Sequence, residues 1–407
     1  MVRHARAPVL AGSLMVVFAC GGEALVVTGG FEERVVDKRS TLGGDVVVAD
    51  LDGDGVDEVI AAYASTEVVN VYARGETLED AWEAIPISGI ASFAANTVVT
   101  GDLDGDGDLD VAATNAAAAD VEGARGELVW YENPGELRGI WQTHVVSGAT
   151  LIGPNALAAG DVDGDGLVDL VVGTSTDAAV GWFVNAGAGR FTGPVPVDAT
   201  LIGASDLALV DFDEDGRTDV LVASDRSQQL LYLRNTSTST SPGRFTRYVV
   251  ATGEQFDSLT VANLDGDDAP ELLVGATVLG TEVATGTVSA QIFDLPDTLG
   301  DPWPSRRVFD NLITEEGTSP AGLHVATGDF DGDGSTDVVI ATTAPGDVDV
   351  FFNRGTEFEA NPIRRGYRGI QDLEVADIDG DGRVDFLTNT SGFATRDRLA
   401  WWRNVGP

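Results

Sequence analysis

The sequence has almost no cysteine or lysine, and few histidines. Cysteine occurs once, at Cys20, so no internal disulfide can form and no cysteine cluster can hold zinc. Lysine also occurs once, at Lys38, and only 24 basic residues face 66 acidic ones, a formal net charge of −42. Phosphate recognition needs clustered Lys and Arg, so nucleic acid is excluded as a partner. Past the N-terminal segment only His144 and His324 remain, each alone in an apolar run, which leaves neither a zinc cluster nor a Ser/His/Asp set. No apolar run reaches the roughly 18 residues of a membrane-spanning helix. What is present is a globular composition, 43% hydrophobic and 22% charged, with 50 glycines scattered along 407 residues in the manner of many turns.

The first residues read as an export signal: Arg3, His4 and Arg6 precede an apolar stretch from Val9 to Ala19 that only Gly12 and Ser13 interrupt. Val17, Phe18, Ala19 and Cys20 resemble the lipobox of bacterial lipoproteins. That resemblance implies a signal peptide at 1–19, lipidation of Cys20 and a short tether over 20–30. Membrane contact is then expected through the lipid anchor alone, since two acyl chains suffice for stable anchoring. The expected location is the bacterial envelope or cell surface; secretion after ordinary cleavage is the alternative.

Beyond the tether, seven segments repeat one pattern, Asp-x-Asp-x-Asp-Gly-x-x-Asp or a near variant, at 50–58, 102–110, 161–169, 211–219, 263–271, 329–337 and 377–385. A spacing of about 50 residues suits a unit of four short strands, the size of a propeller blade. Short β-branched runs flank each segment, such as Val46, Val47 and Val48 before the first and Val338, Val339 and Ile340 after the sixth. A third strand follows with paired aromatics and then Asn, as in Trp130, Tyr131 and Asn133, Trp182, Phe183 and Asn185, Phe351, Phe352 and Asn353, or Trp401, Trp402 and Asn404. A fourth opens on an aromatic: Phe191, Phe245 or Phe358. The residue before the loop is small in six repeats, which crowding of innermost strands around an axis explains, and the second loop residue is always apolar. The seventh repeat stops after its third strand, while Phe31, Val35 and Val36 match Phe245, Val249 and Val250 of a fourth strand. The prediction is an all-β, seven-bladed β-propeller of four-stranded antiparallel blades over 31–407, closed by an N-terminal strand that completes the last blade.

Alternating carboxylates on a tight glycine turn supply the hard oxygen ligands that calcium takes. An EF-hand needs a carboxylate at position 12, where this chain has Ala61, Ala113, Val172, Val222, Val274, Ile340 and Thr388. The acidic loops hold 31 of the 66 acidic residues. From 31 to 407 the chain resembles FG-GAP and VCBS-type repeats, the calcium-loop blades of integrin α-subunit propellers and bacterial surface proteins. The resemblance implies ligands at positions 1, 3, 5 and 9, with the backbone carbonyl of position 7. These are Asp50, Asp52, Asp54 and Glu58; Asp102, Asp104, Asp106 and Asp110; Asp161, Asp163, Asp165 and Asp169; Asp211, Asp213, Asp215 and Asp219; Asn263, Asp265, Asp267 and Glu271; Asp329, Asp331, Asp333 and Asp337; Asp377, Asp379, Asp381 and Asp385. Up to seven Ca2+ ions are implied. The fifth loop is expected to bind weakest, because Asn263 replaces the first Asp and Asp268 a glycine.

In such propellers the ligand surface lies opposite the calcium loops, here at 115–126, 278–286, 311–322 and 389–398. The expected function is a monomeric binding or adhesion module for a protein or glycan, without enzymatic activity. The alternatives are a polysaccharide-acting enzyme of lyase type on a calcium-loaded propeller and a purely structural envelope module.

Overall fold

The computed structural model describes residues 15–18, 24–38, 43–63, 68–78, 80–88, 94–116, 125–175, 180–238, 243–267, 269–279, 286–313, 321–391 and 398–406. Its strands form seven antiparallel sheets. Blade 1 comprises Gly43–Ala49, Glu58–Tyr63, Val68–Ala73 and Glu83–Pro86; blade 2 comprises Ala94–Gly101, Asp110–Ala116, Arg125–Glu132 and Gln142–Ile152. Blade 3 runs through Pro154–Gly160, Asp169–Thr174, Val180–Asn185 and Phe191–Asp198, and blade 4 through Ala204–Val210, Asp219–Ser224, Gln229–Asn235 and Phe245–Thr252. Blade 5 is Gln255–Ala262, Glu271–Leu279, Gly286–Phe293 and Ser305–Ile313; blade 6 is Ala321–Gly328, Asp337–Ala344, Val348–Asn353 and Phe358–Arg364. Blade 7 takes Ile370–Ala376, Asp385–Thr390 and Leu399–Asn404 from the C-terminus and Phe31–Asp37 from the N-terminus. Each innermost strand touches those of both neighbouring blades, and blade 7 touches blade 1, so the ring is closed.

Closure follows the predicted pairing: Phe31 lies opposite Asn404 and Glu33 opposite Trp402. Phe31 is buried, its ring 5.1 Å from Phe386 and 6.0 Å from Phe330, so the closing strand packs an aromatic into the last blade. Within the segment read as a tether, 20–30, residues Ala24–Thr28 form a strand. Ala24–Thr28 pairs with the closing strand, and Met15–Phe18 pairs with Ala24–Thr28, which gives this sheet six strands. The local reason is a hairpin: Gly29 and Gly30 have φ of 57° and 86°, the left-handed pair that a tight two-residue turn requires, and the preceding residues are largely β-branched. Cys20, with 1–14 and 19–23, lies outside the described residues.

Successive residues of a strand face opposite sides of a blade, and both sides are covered by neighbours. Second strands are therefore the most deeply buried; Asp169–Thr174, Asp219–Ser224 and Asp385–Thr390 are buried at every position. Seven hydrophobic clusters result, one per blade interface. The aromatic pairs are split between them: Trp401 packs between blades 7 and 1, and Trp402 between 6 and 7. Each cluster also contains one apolar second residue of a loop, Leu51, Leu103, Val162, Phe212, Leu264, Phe330 or Ile378. Burial of one such side chain contributes about 1.5–3 kcal/mol. The small residue before each loop answers to the next blade more than to the axis: a Cβ on Gly328 would stand 2.7 Å from Val384 Cγ1, and one on Gly101 3.0 Å from Val168 Cγ1.

Candidate metal centres

All seven acidic loops join the first strand of a blade to the second, so topology places them at one end of the ring. Their backbone path is set by the first aspartate. Oδ2 of Asp50, Asp102, Asp161, Asp211, Asp329 and Asp377 accepts the N–H of the position-6 glycine, over 2.7–3.2 Å. That glycine has φ between 83° and 101° in all six loops, which favours a residue without Cβ. Position 4 is a positive-φ glycine in most loops, but Glu214 occupies it in loop 4 with φ 55°. In loop 5 Asn263 Oδ1 accepts the Gly266 N–H at 2.7 Å, so the amide keeps the turn; Asp268 lies outside the described residues.

The ninth residue is the buried end of each loop. One oxygen of Glu58, Asp110, Asp169, Asp219, Glu271, Asp337 and Asp385 accepts the N–H of its own loop's second residue, over 2.6–3.3 Å. In five blades the other oxygen accepts the N–H of the Asn that ends the third strand: Asn133, Asn185, Asn235, Asn353 or Asn404, over 2.6–2.8 Å. These asparagines also clamp blade to blade. Their Nδ2 donates to the second-residue carbonyl of the preceding blade's loop, that of Leu51, Leu103, Val162, Leu264 or Phe330, at 2.7–2.9 Å. It donates as well to the eighth-residue carbonyl of their own loop. Blades 1 and 5 have Arg74 and Leu295 at this clamp position, and theirs are the two loops that end in Glu instead of Asp.

The predicted ligands converge. Carboxylate oxygens of Asp50, Asp52 and Glu58 lie within 4.8 Å of one another, as do those of Asp102, Asp104 and Asp110, of Asp161, Asp163 and Asp169, of Asp211, Asp213 and Asp219, and of Asp265, Asp267 and Glu271. The position-5 carboxylates of Asp54, Asp106, Asp165, Asp267, Asp333 and Asp381 are instead turned onto the N–H two residues on. Burial pushes the ninth carboxyl up, to about 7 for Glu58, Asp110 and Asp385 and to about 6 for Asp169, Asp219 and Asp337, against the pull of the backbone donors. A bound divalent cation reverses that balance. In loop 4, Asp213 Oδ1 and Asp215 Oδ1 are buried with no hydrogen-bond partner, although the Asp213 side chain is only 9% exposed. Buried carboxylate oxygens in this condition call for a cation, and the all-oxygen donor set fits calcium.

The clamp asparagines were visible in the sequence only as the end of an aromatic strand, and Asn235 follows no aromatic pair. Both histidines serve packing: His144 stacks on Trp130 at 4.3 Å with Nε2 2.7 Å from Glu132, and His324 sits on an innermost strand. Of the four loops expected at the opposite end, the central parts 117–124, 280–285, 314–320 and 392–397 lie outside the described residues.

Fold and loops together define a seven-bladed propeller whose blades each carry, between first and second strand, an acidic loop; in at least five loops the carboxylates lie close enough to hold a metal ion. The FG-GAP-like repeat family matches at 50–113, 161–222, 211–274 and 329–388, more than half of the sequence, and the chain belongs to that family. Among solved structures it is similar in fold to BBS1N, crystallised in complex with ARL6DN: the identity is 13%, the TM-score 0.57, and the match covers 93% of this chain and 98% of that one. The Vibrio cholerae biofilm matrix protein Bap1 matches at 11% identity with a TM-score of 0.49, over 93% of this chain and 92% of that one. No curated protein matches the sequence.

Proposed function

We propose that the protein is a calcium-stabilised binding module, without catalytic activity, that is exported and held at a bacterial envelope by lipid on Cys20. The observations that support the calcium reading are the carboxylates that converge within 4.8 Å in loop after loop and the buried, unpartnered oxygens of Asp213 and Asp215 in loop 4. In each loop the side chains at positions 1, 3, 5 and 9 would hold the ion, and up to seven ions would be bound. Calcium supplies positive charge that ties the head of the first strand to the head of the second. The chain's own residues do the rest: position 1 fixes the turn, position 9 anchors it to the blade, and the clamp asparagine joins it to the next blade.

Binding, rather than chemistry, is supported by how the acidic residues are used. The loop carboxylates are accounted for by a repeated structural device, and the two histidines of the propeller by packing. A protein or glycan ligand would then be taken at the end of the ring away from the loops. Glycan-array and protein-capture binding, with calcium and with EDTA, tests this, together with an activity screen on polysaccharides. Calcium-dependent binding without turnover is expected; turnover on any polysaccharide would remove the non-enzymatic reading. Intact mass of the membrane-extracted protein should show an acylated Cys20, and an unmodified N-terminus elsewhere would remove the anchor.

A further inference from the structure

The residue before the clamp position differs in charge from blade to blade: Ala73, Glu132, Val184, Arg234, Asp294, Phe352 and Arg403. In blade 4, Arg234 bonds Asp213 through Nε and Asp215 through Nη2, the latter at 2.8 Å. In blade 7, Arg403 does the same to Asp379 and, at 2.9 Å, to Asp381. Blade 6 reaches this arrangement by another route: Arg354, just after the clamp, lies 2.7 Å from Asp331 and 3.0 Å from Asp333. Three arginines from two blade positions thus meet the third and fifth carboxylates of their own loops, and in blade 4 Arg217, within the loop itself, also pairs with Asp215. Blades 2, 3 and 5 carry Glu132 and Pro134, Val184 and Ala186, and Asp294 and Pro296 at the two places. In blade 1 the cation, Arg74, stands at the clamp position itself.

We propose that Arg234, Arg354 and Arg403 are built-in counter-cations, so that loops 4, 6 and 7 keep their shape without metal and take calcium more weakly, while loops 2, 3 and 5 depend on the ion for their order. This rests on the calcium reading. The guanidinium neutralises part of the carboxylate cluster and repels an incoming divalent cation held by the same groups. It does not fill the site, because Asp213 Oδ1 and Asp215 Oδ1 stay unpartnered beside it. Loop 5 has the opposite device. Asp294, at the position of Arg234 and Arg403, lines a cleft of ≈ 310 Å³ with Asp265, Asp267 and Glu271. It adds negative charge beside Asp265 and Asp267, with Arg306 as its own counter-ion, which puts loop 5 among the metal-dependent loops in spite of its altered first ligand.

The test combines calorimetric calcium titration of the full chain with hydrogen exchange read by mass spectrometry over each loop. Two classes of site are expected, their dissociation constants at least about tenfold apart, since one neighbouring charge is worth that much in a partly buried site. On chelation, peptides covering 102–110, 161–169 and 263–271 should lose protection, and those covering 211–219, 329–337 and 377–385 should keep most of theirs. Arg234→Gln should move loop 4 toward the tight, metal-dependent class, further when combined with Arg217→Gln because Arg217 also pairs with Asp215, and Arg234→Lys, which keeps the charge, should leave it in the weak one. Equal protection changes in all the loops, or an unchanged titration for Arg234→Gln, would overturn the inference while leaving the calcium reading intact. No calcium binding at any loop would overturn both.

Discussion

Around the axis, Asp45, Asp206 and Asp372 each accept a backbone N–H from the innermost strand of the next blade, Val98 at 3.0 Å, Leu259 at 2.8 Å and Val46 at 2.7 Å. Ser258 makes the equivalent bond to Val325 at 3.1 Å. At the loop end of the ring, carboxylates converge on one another, and some of their oxygens meet no protein donor at all. Both sets of acids hold neighbouring parts of the ring together. The axial set does so with hydrogen bonds from backbone N–H groups. Burial, followed by the repulsion of Asp372, raises the Asp45 carboxyl well above the usual range and brings Glu374 to about 8, and burial brings Asp206 to about 7. The loop set has more carboxylates than backbone donors, and in loops 4, 6 and 7 arginines meet some of them. The same side chain is therefore a staple in one place and part of the proposed metal site in the other, and the number of backbone donors within reach separates the two.

The largest effect that separates the two regions is metal removal. A site filled to 10–100 times its dissociation constant stabilises the fold by about 1.4–2.7 kcal/mol, so chelation across several loops should lower Tm by at least about 10 °C. The axial staples should survive it: near-ultraviolet circular dichroism below the new Tm should retain a folded signal, and its complete loss would show that the two regions are not separable. Next comes the clamp. Asn185→Ala removes two interblade and intrablade donors from buried carbonyls and should cost about 2–4 kcal/mol in urea unfolding; a loss under about 0.5 kcal/mol would leave the loops joined by metal alone.

A pH series in saturating calcium isolates the axial set. The folded carboxyls of Asp206 and Glu374 titrate at about 7 and about 8, above the unfolded values, so the stability they contribute is complete below about pH 4 and is lost as pH rises through 7 and 8. Asp206→Asn keeps an acceptor for the Leu259 N–H and should flatten the fall near pH 7; an unchanged profile would assign the fall elsewhere. The smallest effect is Glu214→Gly. Relief of a non-glycine residue at φ 55° should gain up to about 1 kcal/mol, read as a higher urea midpoint.

The loops and the ring closure were legible in the sequence because both are local or repeated: seven acidic segments at similar spacing, and a strand at 31–37 that matches another blade's fourth strand. The clamp was not, since Asn133 reaches Leu51, a residue 82 positions away, and only the order of blades brings the two together. The arginine braces were hidden for the same reason, with the added difficulty that Arg354 does not share the register of Arg234 and Arg403. Asp45, Asp206 and Asp372 read as isolated polar residues in apolar strands, and their common role emerges only where the innermost strands of neighbouring blades meet. The strand Ala24–Thr28 lay in the segment read as a tether, although Gly29 and Gly30 mark the turn that pairs it with the closing strand.

Metal content tests the central claim most directly. Protein equilibrated with calcium, freed of unbound ion by gel filtration and analysed by plasma emission spectrometry should carry several equivalents of calcium per chain, up to seven, and should melt lower once they are removed. Protein that retains no calcium in this experiment, and melts at the same temperature with calcium as with EDTA, would contradict it.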